Sequence, residues 1–374
     1  MFNTPVKTSI LKKIDWYILK KFLTTFFFCV FLFTVIAVVI DISEKTDDFV
    51  KAGLSAGQVF TKYYLGFIPY IDALLFPLFV LIAVIFFTSK MAGRSEIIAI
   101  LASGTTYNRM LLPYWIGGCL LALLLLGSLA FVIPTANAKR TAFEQKYINV
   151  NSTYDPLVAN YQHSVYFRID SFTYAGIRNY DTTTKYGGPF FLHRIKDNKL
   201  VYNLRSESLR WDTAARKWKL TNAIERNIDG LKETVKTQSV LTLAFNFKPL
   251  DLSRDEYAKD KLNSPQLHHY IQDQELRGTE GLNTLQVEEY RRMATPFSVL
   301  ILTLIGAIIA SRKVRGGSGA HLAIGFVAGA LFILMDRFST IFSTKGNLPP
   351  IIAAWLPNTI FAFVAAYFYR KAPK

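Results

Sequence analysis

Long apolar runs lie near both ends of the chain, and a mainly polar region separates them. A helix that spans a membrane needs about 20 mostly apolar residues, because each residue rises about 1.5 Å and the hydrocarbon core is about 30 Å thick. Six runs qualify, at about residues 22–40, 64–87, 111–133, 295–310, 320–338 and 351–369. The pattern therefore predicts an α-helical membrane protein with six transmembrane helices, three on each side of an inserted region.

The basic residues of the short polar segments predict the orientation, since cytoplasmic loops carry an excess of Lys and Arg. The segments assigned to the cytoplasm contain Lys7, Lys12, Lys13, Lys20, Lys21, Lys90, Arg94, Arg109, Arg312, Lys313, Arg315, Arg370, Lys371 and Lys374. We therefore expect both termini to be cytoplasmic and the central insert to lie on the far side. Most of the net charge of +16 is then a topology signal, which argues against nucleic acid as a partner.

The centre of the insert alternates between apolar and polar residues, as strands do. The alternating segments are about residues 164–170, 189–195, 200–204, 209–211, 218–220 and 240–247. Turn residues separate them at 187–188, 197–198, 212–213 and 229–230. Many short strands predict an all-β domain of the sandwich, jelly-roll or open-barrel type. After Pro249 the pattern becomes helical, and Ser264–Pro265 begins a helix with Leu267, Tyr270 and Ile271 on one face.

Three regions follow from these patterns. Residues 1–133 form the N-terminal membrane half, with a short cytoplasmic helix at about 94–103. Residues 134–292 form the external β domain and its helical return segment, and residues 293–374 form the C-terminal membrane half.

Candidate chemistry is sparse. The chain has 2 cysteines, and both lie in apolar runs without metal or redox spacing. It contains neither a phosphate-binding P-loop nor the G-x-S-x-G or H-E-x-x-H motifs. We expect no catalytic residues, no metal site and no cofactor, so an enzyme is the least favoured class.

The cytoplasmic stretch 93–104 is more informative. Ser95 suits the cap of a short helix, Glu96 its positive N-terminal end, and Gly104 its termination. Ile97, Ile98, Ile100 and Leu101 are predicted to form one face, and Glu96, Ala99 and Ser103 another. Such a helix either docks into a cytoplasmic partner or lies at the lipid interface, and these residues alone do not decide between the two.

Charged residues near the outer face form a second candidate site. Cations there could meet an anionic lipid headgroup, or they could be solvated loop charges. They are Lys45, Lys51, Lys62, Arg291, Arg292, Arg337 and Lys345. Asp72 lies in the second span, and Asp336 and Arg337 near the end of the fifth could pair with each other. Gly325 and Gly329 have the G-x-x-x-G spacing of a dimer face, although glycine is common in membrane helices.

The order of these features resembles the lipopolysaccharide-export permease family, LptF/LptG, also called YjgP/YjgQ. Residues 14–23 look like that family's entry to its first span. Pro69 and Pro77, followed by 93–97 and 102–104, look like its second span and coupling helix. Residues 247–252, 262–267 and 270–271 resemble its return to the membrane. Residues 287–296 resemble its entry to the fourth span, and 315–318 the following loop.

The resemblance implies a permease subunit of an ATP-driven, ABC-type complex in the bacterial inner membrane. A second subunit of the same family, or another copy, would pair with it above a dimeric cytoplasmic ATPase. The pair would extract lipopolysaccharide and pass it through jelly-roll-like periplasmic domains to a periplasmic bridge protein. ATP hydrolysis would occur on a separate chain.

By the same resemblance, two sets of residues gain roles. The ATPase-coupling residues would be Arg94, Ser95, Glu96, Ile97, Ala99, Ile100 and Gly104. The candidate lipid-headgroup residues would be Lys45, Lys51, Lys62, Arg292 and Arg337. The chain departs from the family pattern where the first external loop begins, because Asp41, Glu44, Asp47 and Asp48 make that segment acidic. Asp72 has no clear family counterpart.

Two other classes remain open at this point. A membrane scaffold whose periplasmic domain binds protein partners would need neither a coupling helix nor lipid-facing cations. An ion-coupled secondary transporter would need paired carboxylates at the membrane midplane and broken helices.

Overall fold

The computed structural model describes residues 12–148, 165–181, 184–252, 258–278, 281–312 and 318–372. Several predicted features lie outside these residues, namely Lys7, Lys313, Lys374, residues 315–317 of the loop at 315–318 and the first residue of the strand at 164–170. The chain divides into two compact units, which we describe separately. One contains residues up to 143, 260–264 and 283–374, and the other contains 144–259 and 265–282.

The first unit is a bundle of long apolar helices, and the prediction of six membrane-spanning helices is confirmed by length and composition. The helices of this unit are α1 (Lys13–Lys51), α2 (Ala56–Val59), α3 (Leu65–Gly93), α4 (Glu96–Ala102), α5 (Tyr107–Gly127), α6 (Ile133–Tyr147, which extends into the second unit), α9 (Leu282–Ala310), α10 (Ser318–Lys345) and α11 (Pro350–Arg370). One π-helical turn, Phe60–Tyr64, joins α2 to α3, and another, Ser128–Val132, joins α5 to α6.

Most spanning helices are longer than their apolar runs predict. The first, for example, has 39 residues where the apolar run has roughly half that number. Hydropathy marks only the segment that would lie in hydrocarbon, whereas backbone hydrogen bonds continue as long as the residues beyond it tolerate helical geometry.

Helix α3 is packed against glycines of two other helices. Gly306 of α9 lies against its Leu81 and Val84 side chains, and Gly325 and Gly329 of α10 lie against Ile85 and Leu78. The absence of a Cβ lets the helices approach closely. The G-x-x-x-G pair of α10 is thus occupied within the chain, which corrects its interpretation as a dimer face.

The second unit contains one antiparallel sheet, so the predicted all-β insert is confirmed. Its strands are β1 (Val165–Asp170), β2 (Thr173–Ile177), β3 (Tyr186–Gly187), β4 (Phe190–Lys196), β5 (Lys199–Ser206), β6 (Ser208–Asp212), β7 (Lys217–Asp229) and β8 (Lys232–Leu243). The order across the sheet is β1-β2-β4-β5-β7-β6-β3, with β8 paired to β7.

Two predicted turns coincide with hairpins. Asp197 and Asn198 have φ values of 50° and 58° between β4 and β5, as a two-residue hairpin requires. Gly230 has φ 61° between β7 and β8. The sequence missed β2 and also the two-residue β3, whose Gly187 lies in the turn predicted at 187–188. It placed β8 too late, because residues 232–240 are exposed on both faces and lack alternation.

The interior of the sheet is organised around Trp218. Its side chain is fully buried, and its indole N–H donates to the Phe247 carbonyl at 2.9 Å. The predicted return helix is confirmed as α8 (Ser264–Arg277), which follows the four-residue helix α7 (Ala258–Lys261). On the predicted face of α8, Leu267 and Ile271 are buried and Tyr270 is half-buried.

Candidate functional site

The short helix predicted at about 94–103 is present as α4. It follows α3 after two residues, and four residues separate it from α5. Ser95 precedes the helix as expected, but its φ of 62° is left-handed and its side chain makes no capping hydrogen bond. Gly104 has φ 83°, and its N–H donates to the Leu101 carbonyl at 3.1 Å. Glycine adopts this conformation without a Cβ penalty, which accounts for the helix end there.

The apolar face of α4 is narrower than the sequence predicted. Ile97 is buried in the core of the bundle, and Ile100 and Leu101 pack against it half-buried. Ile98 is 54% exposed. Successive residues turn by about 100° around a helix, so Ile98 projects away from Ile97. Together with the exposed Ala99 and Ala102 it forms a small apolar outer surface on α4.

Glu96 is held from the first helix. The Tyr17 hydroxyl of α1 donates to Glu96 Oε2 at 3.0 Å, and Arg94 Nη1 lies 4.0 Å from Glu96 Oε1. The Glu96 side chain remains 29% exposed, and that of Arg94 59% exposed. The sequence did not indicate Tyr17, because 79 positions separate it from Glu96.

The candidate headgroup cations differ in their surroundings. Lys45 Nζ lies 2.9 Å from the buried Asp41 carboxylate and also hydrogen-bonds the Tyr63 hydroxyl. Asp41 accepts further hydrogen bonds from the Tyr63 and Tyr64 hydroxyls, at 3.1 and 3.0 Å. Lys51 and Lys62 are exposed.

The two arginines of the set also differ. Arg292 is buried, lies 3.4 Å from Glu288, and donates to the Leu262 carbonyl at 2.8 Å. Arg337 is exposed. Asp336 does not pair with this sequence neighbour as considered above, but with Arg291 of α9 at 2.9 Å.

A cavity of about 90 Å³ lies beside the Arg291–Asp336 ion pair. Its walls come from α3, α9, α10 and α11, and they include Arg337, Ser298 and Asn358. Elsewhere in the bundle, Asp72 of α3 accepts a hydrogen bond from Thr34 of α1 at 2.6 Å. In the part of the chain that the structure describes, no three His, Cys, Asp or Glu side chains are arranged to hold a metal ion.

The geometry thus consists of a bundle of six long helices, an inserted antiparallel sheet, and a short helix that presents a carboxylate. A family model described as lipopolysaccharide export system permease LptF/LptG matches residues 16–371. The chain is 22% identical over 367 residues to the lipopolysaccharide export system permease protein LptG of Escherichia coli K12, covering 96% of this chain and 98% of the relative. The LptG protein of Escherichia coli O6:H1 matches equally. The family match spans nearly the whole chain, and we conclude that this protein belongs to the LptF/LptG family of lipopolysaccharide export permeases.

Proposed function

We propose that this chain is a permease subunit of an ATP-driven, ABC-type complex that exports lipopolysaccharide from the bacterial inner membrane. The observation that carries the proposal is the family match over residues 16–371. The six apolar helices and the inserted sheet suit a membrane subunit with a large domain outside the bilayer. The chain carries no P-loop motif, so ATP would be hydrolysed on a separate partner chain.

In this proposal α4 is the helix that docks in a dimeric cytoplasmic ATPase. Its outer surface offers Ile98, Ala99 and Ala102 for apolar contact and Glu96 for a cation of the partner. Arg94 and Ser95 lead into the helix, Ile97 and Ile100 fix it to the bundle, and Gly104 ends it. Protein interfaces combine an apolar centre with a polar rim, and the outer surface of α4 offers both kinds of contact.

The orientation proposed from the basic loops places both termini in the cytoplasm and the sheet in the periplasm. A second permease subunit of the family, or another copy of this chain, would complete the transport path. The sheet would then receive the lipid and pass it to a periplasmic bridge protein.

Exposure divides the candidate headgroup residues. Lys51, Lys62 and Arg337 are exposed, so they can reach a lipid phosphate without breaking a buried ion pair. Lys45 and Arg292 are held by Asp41 and Glu288. We therefore assign direct headgroup contact to the three exposed cations, and a supporting role to the other two.

Co-purification tests the proposal. The wild type and Glu96→Lys would be extracted under the same conditions and probed for a bound cytoplasmic ATPase. Glu44→Lys is the matched control. It also replaces Glu with Lys, but at an exposed position near the C-terminal end of α1, whereas Tyr17, which bonds Glu96, lies near the N-terminal end. We expect the wild type and Glu44→Lys to retain an ATPase and Glu96→Lys to lose it.

If the intact wild type retains no ATPase, the transporter lacks an energy source, and the proposal fails in favour of a membrane scaffold with periplasmic protein partners. If Glu96→Lys retains the ATPase as well as the control does, α4 is not the docking helix.

A further inference from the structure

The first three residues of α5 each bond a different helix or its end. Tyr107, Asn108 and Arg109 follow one another directly, and they lie at the end of the bundle that carries α4. We call these three residues the α5 junction. Its bonded pairs are Tyr107 with Ser311 after α9, Asn108 with Tyr369 of α11, and Arg109 with Asp15 of α1.

The bond to α1 is an ion pair. Arg109 Nη2 lies 2.5 Å from Asp15 Oδ2. The Asp15 side chain is only 6% exposed, and its carboxylate also accepts the backbone N–H of Lys12 at 2.7 Å. A buried carboxylate that loses its partner cation is costly, so this pair ties the start of α1 firmly to α5.

The other two bonds join α5 to the ends of α9 and α11. The Tyr107 ring is buried in the core of the bundle, and its hydroxyl lies 3.3 Å from Ser311 Oγ. The Tyr369 hydroxyl donates to Asn108 Oδ1 at 2.5 Å. Arg312 additionally hydrogen-bonds the Lys371 carbonyl, which joins the ends of α9 and α11 to each other.

Helix α4 precedes the junction by only four residues. Within this connection the Ser103 hydroxyl donates back to the Ile100 carbonyl at 2.7 Å, and Thr106 Oγ1 accepts the Arg109 N–H at 3.4 Å. A connection this short, bonded to both of its ends, cannot absorb a displacement of α4 as a long loop would.

We propose that the α5 junction transmits displacement of α4 to α1, α9 and α11 together. The inference rests on the proposed function, because α4 is displaced by the ATPase that docks on it. Tyr107, Asn108 and Arg109 are positioning residues, since none of them needs to touch the ATPase or the lipid. Because packed helices move as rigid elements, a displacement of α4 would shift α1, α9 and α11 together through the junction.

The first experiment tests the connection in the chain itself, by amide hydrogen exchange of the full chain in detergent. Arg109→Ala should raise exchange at residues 13–17, where the broken ion pair lies. If the junction connects the helices, exchange should also rise at 307–311 and 366–370, which belong to the ends of α9 and α11. Because coupling is reciprocal, Tyr369→Phe should raise exchange at 13–17. Tyr114→Phe is the control, since it removes a hydroxyl bonded to Thr88 inside the bundle.

The second experiment tests transmission in the assembled complex with its ATPase, reconstituted in lipid vesicles that contain lipopolysaccharide. The lipid released per ATP hydrolysed should fall about 2- to 30-fold in Asn108→Ala and Arg109→Ala, the range expected when a coupling contact is lost. The amount of ATPase bound should stay at the wild-type level. Arg226→Ala is the control, because it breaks an exposed ion pair with Glu233 in the sheet.

The outcomes separate the two proposals. A wild type without bound ATPase contradicts the proposed function, while the exchange pattern still decides whether the junction connects the helices. The proposed role of the junction is contradicted if hydrogen exchange rises only beside each substituted residue. It is also contradicted if the ratio of lipid released to ATP hydrolysed stays unchanged. If Arg109→Ala does not fold, Tyr369→Phe and Asn108→Ala decide, because each removes the exposed hydrogen bond between Tyr369 and Asn108 and keeps the ion pair of Arg109 with the buried Asp15.

Discussion

Gly325 of α10 lies so close to Ile85 of α3 that a Cβ built on the glycine would be 2.2 Å from the Ile85 Cδ1 atom. Ile85 is fully buried, so its side chain has little room to turn away. One turn further along α10, a Cβ on Gly329 would be 2.4 Å from Leu78 Cδ1. Close approach of α3 and α10 therefore depends on these two glycines.

We predict that Gly325→Ala destabilises the bundle. Overpacking a tight contact costs about 1–3 kcal/mol, and the better helix propensity of alanine offsets up to about 1 kcal/mol of it. Thermal unfolding in detergent would measure the difference. Gly319→Ala in the same helix is the control, because nothing lies within 4 Å of a Cβ there. A Gly325→Ala variant as stable as the control would show that the helices separate without cost.

We predict that Lys62→Glu and Arg337→Glu weaken binding of lipopolysaccharide micelles. Each exposed cation near an anionic lipid surface contributes about 1 kcal/mol, so reversal of its charge should lower the affinity several-fold. The loss should shrink at high salt, where exposed charges are screened. Lys20→Glu, an exposed lysine near the start of α1, is the control. Equal losses for all three variants would indicate a general charge effect rather than a headgroup site.

We predict that Trp218→Ala lowers the stability of the sheet more than substitution of any exposed residue of the sheet does. The side chain is fully buried, and truncation of a buried Trp costs about 3–5 kcal/mol. Trp218→Phe should cost less, because it keeps a ring and loses chiefly the hydrogen bond to the Phe247 carbonyl. Hydrogen exchange of β5, β6 and β7 in the full chain would measure both. Similar protection in Trp218→Ala and wild type would contradict the central role of this residue.

We predict that the sheet loses stability as the pH falls below about 6.5, the ordinary pKa of histidine. Burial lowers the pKa of His193, and the positive charge of Arg205 lowers it further. The unfolded chain therefore binds a proton at a pH where the folded sheet does not, and stability decreases between the unfolded and the folded pKa.

The pKa of Asp170 is also lowered, despite the opposing effect of its burial, by hydrogen bonds from Phe172 and Thr173 and by the charge of Arg194. The stability that Asp170 contributes is lost only when the pH falls below the ordinary pKa of a carboxyl group. This loss therefore occurs at a lower pH than the loss caused by His193. Hydrogen exchange of β4, corrected for the intrinsic effect of pH, would measure the change. His193→Gln should flatten the dependence, and His269→Gln, an exposed control on α8, should not. The same pH dependence in all three proteins would exclude His193 as its source.

The sequence by itself determined most of the elements and their kind, and β2 and β3 are the strands that it did not indicate. The six apolar runs and the region of alternating apolar and polar residues are local properties of the chain. They can be recognised without knowing how the helices are arranged in space. The hairpin at 197–198, the return helix α8 and the short helix α4 were equally readable, because turn residues and helix ends are specified by a few neighbouring positions.

Only the tertiary structure decided the partners of the candidate residues. Glu96 is held by Tyr17, Asp336 pairs with Arg291 rather than with Arg337, and Asp41 gathers Lys45, Tyr63 and Tyr64. The sequence shows that these charged residues are present, but it does not show which of them are exposed. It also does not show that Gly325 and Gly329 of α10 pack against α3. The physical reason is that hydropathy and periodicity depend on neighbours along the chain, whereas ion pairs and close helix contacts depend on residues that packing brings together from distant positions.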